Sequence, residues 1–292
     1  MEHQLWKAIV ANLKTFGNSR KRRQDDFTDH DIVQVYYWAV IHDRSTQWAC
    51  CAKNWPIHRR RFPLPSPTTM SRRLASARVI ALLDALERRV VAPKKPGLYW
   101  MIDGKPLVIG GASKDRQAGY GRAANSMAKG YKLHAILDAA GAIACWRIAP
   151  MNKDERVMAA RMLKTAPIQG YVVADSNYDS NPLHAICGQR DQLQLVTPRR
   201  YGKGHKTGHK KQTAGRLRCI ALLENPKPEF GEQLLHDRDE IERRFGQLTN
   251  WGGGLTHLPA WVRTHRRVRR WVQAKLVFTA IKECQRTSTY VE

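Results

Sequence analysis

The order of strand and helix patterns from residue 98 onward constrains the fold of this chain more than any other feature. A strand pattern, a hairpin, a helix, a strand, a helix and a last strand follow one another, which is typical of an α/β core. The segments are LYWMIDGKPLVIGG (98–111), GYKLHAILDAAGAIACWRIAP (130–150), MNKDERVMAARMLKTA (151–166), GYVVAD (170–175), NPLHAICGQR (181–190) and LQLVTP (193–198). We therefore predict a five-stranded mixed sheet flanked by helices, with the first and fourth strands adjacent if the helical crossover is right-handed.

The N-terminal region has helical rather than strand-like patterns. Thr28 is a candidate N-cap for the helix in FTDHDIVQVYYWAVIHD, because acidic residues follow it in the first turn. A second helix, beginning near Ser66 or Thr68, carries Arg72 and Arg73. Arginine-rich helices separated by short turns resemble a helix-turn-helix DNA reader, although a helical bundle with solvated arginines has the same pattern. We expect Arg72 and Arg73 to contact DNA.

The change of pattern predicts two regions. Residues 1–97 form a helical DNA-binding region that ends in the linker VAPKKPG (91–97). Residues 98–292 form the α/β domain, with a basic insertion at 199–236 and a basic C-terminal helix.

The charge balance indicates the class of partner. The chain has 50 Lys and Arg residues against 25 Asp and Glu residues, which gives a formal net charge of +25. This excess favours a polyanionic partner, with nucleic acid first and an anionic membrane surface second. Hydrophobic residues make up 42% of the chain, so a disordered tail protein is excluded.

Cysteine usage and apolar runs bear on the compartment. None of the six Cys residues forms a C-x-x-C pair, which argues against a structural zinc site and for a reducing compartment. No apolar run approaches the roughly 18 residues that span a bilayer, and the first residues lack a signal-peptide pattern. We expect a cytoplasmic protein without a membrane partner, associated with the nucleoid when bound to DNA. A P-loop pattern is also missing, so no nucleotide cofactor is expected.

Three acidic residues lie where chemistry is expected. Asp103 interrupts the apolar strand YWMIDGK, Asp175 ends GYVVAD, and Glu242 lies near the apolar face of the helix HDRDEIERRF. A carboxylate in a buried strand costs several kcal/mol unless it is paired or metal-bound. If the strands and this helix pack together, the three acids converge and repel one another. Two divalent cations about 4 Å apart would relieve this repulsion, and oxygen ligands favour Mg²⁺ or Mn²⁺.

Four stretches around these acids carry a resemblance to a known family. They are IDGKPL (102–107), KGYKLHAILDAAG (129–141), VVADSNYDSNPLH (172–184), and RDEIERRFGQL with GGGLTHLPAWVR (238–263). In these stretches the chain resembles the DDE transposases of bacterial insertion sequences. The resemblance implies a ribonuclease-H-like fold, with Asp103, Asp175 and Glu242 as both the catalytic residues and the ligands of two Mg²⁺ ions.

The resemblance also implies a reaction and its partners. Water attacks the phosphodiester at the end of the element, and the freed 3′-hydroxyl then attacks target DNA in the same site. Both steps are in-line displacements on double-stranded DNA, so one pair of metals serves both. Pairing two element ends implies at least a homodimer in the active complex.

A subgroup of this family carries the pattern Tyr-x2-Arg-x3-Glu-x6-Lys around the last acid. Arg238 and Glu242 match this pattern, whereas Leu235 and Thr249 stand at the Tyr and Lys positions. Arg238 is therefore kept as a candidate phosphate contact. The two departures keep open a catalytically inactive, transposase-derived DNA-binding protein, and a metal-dependent DNA nuclease without strand transfer is a further alternative.

Several residues have competing interpretations. Asp103 could belong to an Asp-Gly turn, Asp179 is a rival of Asp175, and Glu242 could pair with Arg238 at i, i+4. For His134 and Lys132, a packed or solvated role is at least as well supported as a catalytic one. The remaining residues that we predict to bind DNA are Lys203, Lys210, Lys211, Arg263 and Arg267.

Overall fold

The computed structural model divides the chain into two compact units. It describes residues 2–17, 25–93, 97–123, 126–199, 212–224, 229–236, 238, 240–250, 254–255 and 257–289, without the side chains of 250 and 286–289. Unit 1 contains Met1–Val91, Leu248–Leu255 and Arg270–Glu292, and unit 2 contains Ala92–Gln247 and Thr256–Arg269. The functional boundary after residue 97 stays a prediction. The compact units do not follow this predicted boundary, because the residues from Arg270 onward belong to unit 1.

Eleven α-helices and six β-strands form within the described residues. The helices are α1 (Glu2–Lys14), α2 (Asp29–Ile41), α3 (Thr46–Ala49), α4 (Pro67–Arg73), α5 (Ala77–Val91), α6 (Glu155–Leu163), α7 (Asn181–Gly188), α8 (Ala214–Glu224), α9 (Glu229–His236), α10 (Glu240–Asn250) and α11 (His265–Thr289). The strands are β1 (Tyr99–Val108), β2 (Gly119–Ala123), β3 (Ser126–Asp138), β4 (Ile143–Pro150), β5 (Gly170–Val173) and β6 (Leu193–Val196). No helix in this part of the chain is long and apolar enough to cross a membrane.

Unit 1 is built around α2, of which nearly all the last ten residues are buried. Thr28 caps this helix as predicted. Its hydroxyl accepts from the Asp31 N–H at 3.1 Å, and the Asp31 carboxylate accepts from the Thr28 N–H at 2.9 Å. Trp38 stacks on Trp55 with ring centroids 4.8 Å apart, and Trp6 meets both rings edge-on. Because each such ring buries a large apolar area, the indole cluster is a main source of stability in unit 1.

Unit 2 contains a mixed sheet in which the strand order is β2-β3-β1-β5-β6, with β4 also paired to β3. The long strand β3 pairs antiparallel with β1 along one edge and with β2 and then β4 along the other. Strand β1 pairs parallel with β5, and β5 pairs parallel with β6. The predicted α/β class is confirmed, as is the adjacency of the first and fourth predicted strands.

The sheet has six strands rather than the predicted five, because β2 was not anticipated. Its sequence, GYGRA, has glycines where an alternating strand would carry side chains. A Cβ at Gly121 would lie 2.5 Å from the Met151 carbonyl oxygen, so glycine is needed where β2 passes close to the backbone after β4. The same glycines that permit this close approach remove the hydrophobic alternation by which a strand is recognised.

Both faces of the sheet are covered by helices. One face packs against α6 and α7 through a core that includes Trp100, Ile102, Ile136, Met162 and Leu183. On the other face, Val173 and Val196 pack against Cys219 of α8 and Leu234 of α9. These two layers hold β1 and β5 in place; one acidic residue described next lies within β1 and another just after β5.

Candidate active site

Asp103 lies within β1 and is largely buried. Its Oδ1 accepts from the Gly104 N–H at 2.7 Å. Burial raises the pKa of Asp103 to about 6; the Gly104 hydrogen bond opposes this rise, while the carboxylates of Glu155 and Asp175 add to it and Lys132 reduces it. The site therefore disfavours the negative charge of Asp103 unless a cation is present.

Asp175 follows β5 and lies beside Asp103. The parallel register pairs Tyr99 with Tyr171 and ends with Met101 and Val173, and Asp175, two residues further on, is close enough for its charge to raise the pKa of Asp103. Asp175 also caps the short 3₁₀ helix that follows, since its carboxylate accepts from the Asn177 N–H at 2.8 Å and from Asn177 Nδ2 at 3.2 Å.

Asp179, the rival of Asp175, is committed to other partners. Its two carboxylate oxygens accept from Nε and Nη2 of Arg216, each at 2.8 Å. The imidazole Nε2 of buried His184 lies 3.4 Å from the same carboxylate. A bidentate arginine occupies the oxygens that a metal would need, which favours Asp175 as the ligand.

Glu242 lies on α10 beside buried Ile241, but its own side chain is exposed. It forms no ion pair with any described residue, because Arg243 and Arg244 pair with Glu240 instead. The structure thus brings Asp103 and Asp175 together and does not gather Glu242 with them. Across the described ranges, no group of three or more His, Cys, Asp or Glu side chains has a metal-binding arrangement.

The pair formed by Asp103 and Asp175 fits a divalent cation. Both residues offer carboxylate oxygens, the ligands that Mg²⁺ and Mn²⁺ prefer. Burial, with a smaller contribution from the neighbouring carboxylates, raises the pKa of Asp103, and a bound cation would oppose both effects. If these two carboxylates hold a metal ion, a third carboxylate would have to come from another element, such as α10.

Glu155 and Lys132 lie near this pair in a way that the sequence interpretation missed. Lys132 Nζ donates to Glu155 Oε1 at 2.5 Å, and both side chains are largely buried. Asp154 caps α6, so the Glu155 side chain is not needed for capping and forms this ion pair. One feature of the sequence points to this position of Lys132, namely the glycine after Asp103. A Cβ at Gly104 would lie 2.8 Å from Lys132 Cδ, so glycine leaves room for the lysine side chain.

His134 is paired with Gly104 across the sheet and is 1% exposed. Burial, with a smaller contribution from Lys132, lowers the pKa of His134 to about 4. This side chain is therefore a neutral imidazole at pH 7. It faces the same side of the sheet as Lys132, because the two residues are two positions apart on β3 and side chains alternate along a strand.

The residues predicted to bind DNA are placed differently from one another. Arg72 and Arg267 are exposed, Arg238 is half-buried, and Lys203, Lys210 and Lys211 lie outside the described residues. Arg73 is buried: its guanidinium pairs with Asp25 at 3.0 Å and Asp29 at 2.7 Å, and donates to the Phe27 carbonyl. A buried guanidinium that already pairs with two carboxylates is not accessible to a phosphate. The prediction that Arg73 contacts DNA is therefore withdrawn. Arg263 is half-buried and bonded to backbone carbonyls.

Comparison with known proteins gives one family. Residues 100–274 match the family model described as the transposase DDE domain, which covers more than half of the chain and includes all three acids. A search of curated proteins finds no significant match.

Proposed function

Because this chain belongs to the transposase DDE family, we propose that it cleaves the ends of an insertion sequence and joins them to target DNA. The observation that carries the proposal is the position of Asp103 in β1 and of Asp175 just after the adjacent parallel strand β5, close enough for the Asp175 charge to raise the pKa of Asp103. Members of this family are enzymes that act on DNA with divalent metals; the reaction steps and the ions given below are our proposal.

Asp103, Asp175 and Glu242 would hold two Mg²⁺ ions, which Mn²⁺ can replace. When bound, these ions supply polarisation of the attacking oxygen and neutralisation of charge on the phosphate. The strands β1 and β5 hold the first two carboxylates at a fixed spacing, and α10 brings Glu242 to them when DNA is bound. Water first displaces the 3′-oxygen of the element end, and the resulting 3′-hydroxyl then displaces an oxygen of a target phosphodiester.

Exposed cations would bind the DNA backbone around this centre. We assign this role to exposed Arg72 in unit 1, to exposed Arg267 and half-buried Arg238 in unit 2, and to Lys203, Lys210 and Lys211. Two element ends must meet for strand transfer, so we propose a homodimer in the active complex. The protein would act in the cytoplasm, on the nucleoid.

The test uses the DNA that flanks the gene, where terminal inverted repeats would supply the substrate. The purified chain is incubated with a labelled end and a target duplex in Mg²⁺, and cleaved and joined products are separated on a gel. We expect both products from the wild type and neither from Asp103→Asn, Asp175→Asn or Glu242→Gln. Retention of metal-dependent cleavage by any folded variant would refute the assignment of that residue.

A second candidate is a DNA-binding protein without catalytic activity, favoured by the separation of exposed Glu242 from the other two acids. It predicts sequence-specific binding of the same ends with no product in Mg²⁺ or Mn²⁺. Cleaved ends that never join a target would instead identify a nuclease without strand transfer.

A further inference from the structure

A buried carboxylate joins the loop after β1 to the segment before α11 in unit 2. Asp115 is 8% exposed and accepts from Tyr131 Oη at 2.8 Å, from the Thr264 N–H at 2.7 Å and from the Gln117 N–H at 3.0 Å. Arg263 lies near enough to lower the pKa of Asp115 as well. Because three donors satisfy this carboxylate, the loop and the segment are held at one fixed spacing.

Arg263 stabilises the same junction rather than facing solvent. Its Nη1 donates to the Pro259 carbonyl at 2.6 Å and to the Val262 carbonyl at 2.9 Å, and its Nε donates to Ser113 Oγ at 3.1 Å. The predicted DNA contact of Arg263 is thus replaced by a positioning role, since its Nε and Nη1 donate to groups of the protein.

Between the loop and the segment lies an open cleft of about 660 Å³. Its lining consists of Gly110, Ser113, Lys114, Asp115, Arg116, Gln117, Ala260, Arg263 and Thr264. Lys114 and Arg116 are exposed there, and neither side chain has a hydrogen bond or ion pair with a described residue. Asp115 is the one acid in the lining, and its charge is already compensated. The cleft therefore presents uncompensated positive charge to the solvent.

The start of α11, which follows Thr264 directly, adds to this potential. Arg266 and Arg267 are exposed in the first turn of α11, and the first turn contains no acid. Cations at a helix N-terminus are unfavourable by a few tenths of a kcal/mol or more, because the helix dipole is positive there. A bound anion would turn this repulsion into attraction.

We propose that this cleft is a DNA-backbone site, in which Lys114 and Arg116 contact phosphates and Asp115 and Arg263 hold them in position. The inference rests on the proposed function, because it takes the polyanion to be DNA. Two flexible cations on a rigid junction can neutralise adjacent phosphates of one strand without reading its sequence. The cleft would therefore contribute affinity and register, while the reaction takes place at the acids.

The experiment measures binding of the full-length chain to a labelled duplex of arbitrary sequence, by fluorescence anisotropy over a series of salt concentrations. The double variant Lys114→Ala/Arg116→Ala should bind roughly tenfold more weakly at low salt. Its plot of log affinity against log salt should be less steep by about 2, one per lost phosphate contact. The control Arg161→Ala/Lys164→Ala removes two exposed charges, one in the last turn of α6 and one at its C-cap, and should keep the wild-type slope.

Binding of inorganic phosphate is measured beside binding of the duplex, at constant ionic strength. The comparison distinguishes a site for duplex DNA from a site for free phosphate. A slope equal to wild type in the Lys114/Arg116 variant would overturn the inference, and so would loss of phosphate binding with duplex binding unchanged. Equal slopes in the variant and the control would show that only net charge matters, which also overturns it. If the wild type bound no duplex, the proposed function would fail too, whereas a wild type that cleaves element ends while the variant keeps its slope would refute the cleft alone.

Discussion

Asp103→Asn removes the charge of a carboxylate that the fold buries, while it keeps an oxygen to accept from the Gly104 N–H. Burial raises the pKa of Asp103 from 3.8 to about 6. At 1.36 kcal/mol per pH unit, this difference corresponds to at most about 3 kcal/mol by which the ionised residue destabilises the metal-free fold. The asparagine variant should therefore be more stable than the wild type at pH 7.5, although it lacks a catalytic carboxylate.

The sign of the pH dependence follows from proton uptake. Between pH 4 and pH 6 the folded state holds a proton on Asp103 that the unfolded state has released, so wild-type stability falls as pH rises. The difference between variant and wild type should be near zero at pH 4 and complete above pH 6. Divalent cations reduce this difference in stability, because a ligand present at 100 times its Kd adds about 2.7 kcal/mol to the free energy of unfolding of the wild type.

The assay is thermal unfolding of both proteins in EDTA and in Mg²⁺, at pH 4.5 and pH 7.5. In EDTA at pH 7.5 the variant should unfold several degrees higher than the wild type. Mg²⁺ should raise the wild-type midpoint and leave that of the variant nearly unchanged. A variant that is no more stable than the wild type in EDTA at pH 7.5 would show that the carboxylate is not strained in the metal-free fold.

Three further predictions concern single residues and their controls. Glu242→Gln changes an exposed side chain, so it should abolish end cleavage while it alters the free energy of unfolding by less than about 0.5 kcal/mol, measured in urea. Arg216→Met leaves buried Asp179 without its bidentate partner and should cost roughly 3–5 kcal/mol in the same assay, part of which Asp179→Asn should restore. Gly130→Ala places a Cβ 2.3 Å from a carbonyl oxygen of β1 and should destabilise by about 1–3 kcal/mol or more, whereas Gly246→Ala on α10, with nothing within 4 Å, should be neutral or stabilising.

The sheet and the Asp103–Asp175 pair could be anticipated because both depend on local patterns. Apolar runs define β1 and β5, and a helix between two strands favours their parallel pairing. An acid at the end of such a run is then placed by the register alone. Strand β2 has no such pattern, because its glycines serve a close backbone contact.

Partner choice among charged side chains could not be anticipated from sequence. Arg73 has the same local pattern as Arg72, yet its partner Asp29 lies 44 residues away and draws it into the core. Asp179 and Asp175 are likewise separated by only four residues, and what distinguishes them is Arg216 on a later helix. The pairing of each such group is fixed by tertiary packing, which a local sequence pattern does not contain.

The junction at Asp115 has a consequence for the order of events during synthesis. The Asp115 carboxylate cannot accept its hydrogen bond from the Thr264 N–H until Thr264, which lies 149 residues further along the chain, has been synthesised. At roughly 5–20 residues per second the ribosome adds that partner about 7–30 s after Asp115 itself. All six strands of the described residues precede Thr264 in the chain, so the sheet can form while this carboxylate still lacks its last donor. A product truncated before Arg263 would contain Asp103 and Asp175 but would lack Arg263 and Thr264, which line one side of the cleft.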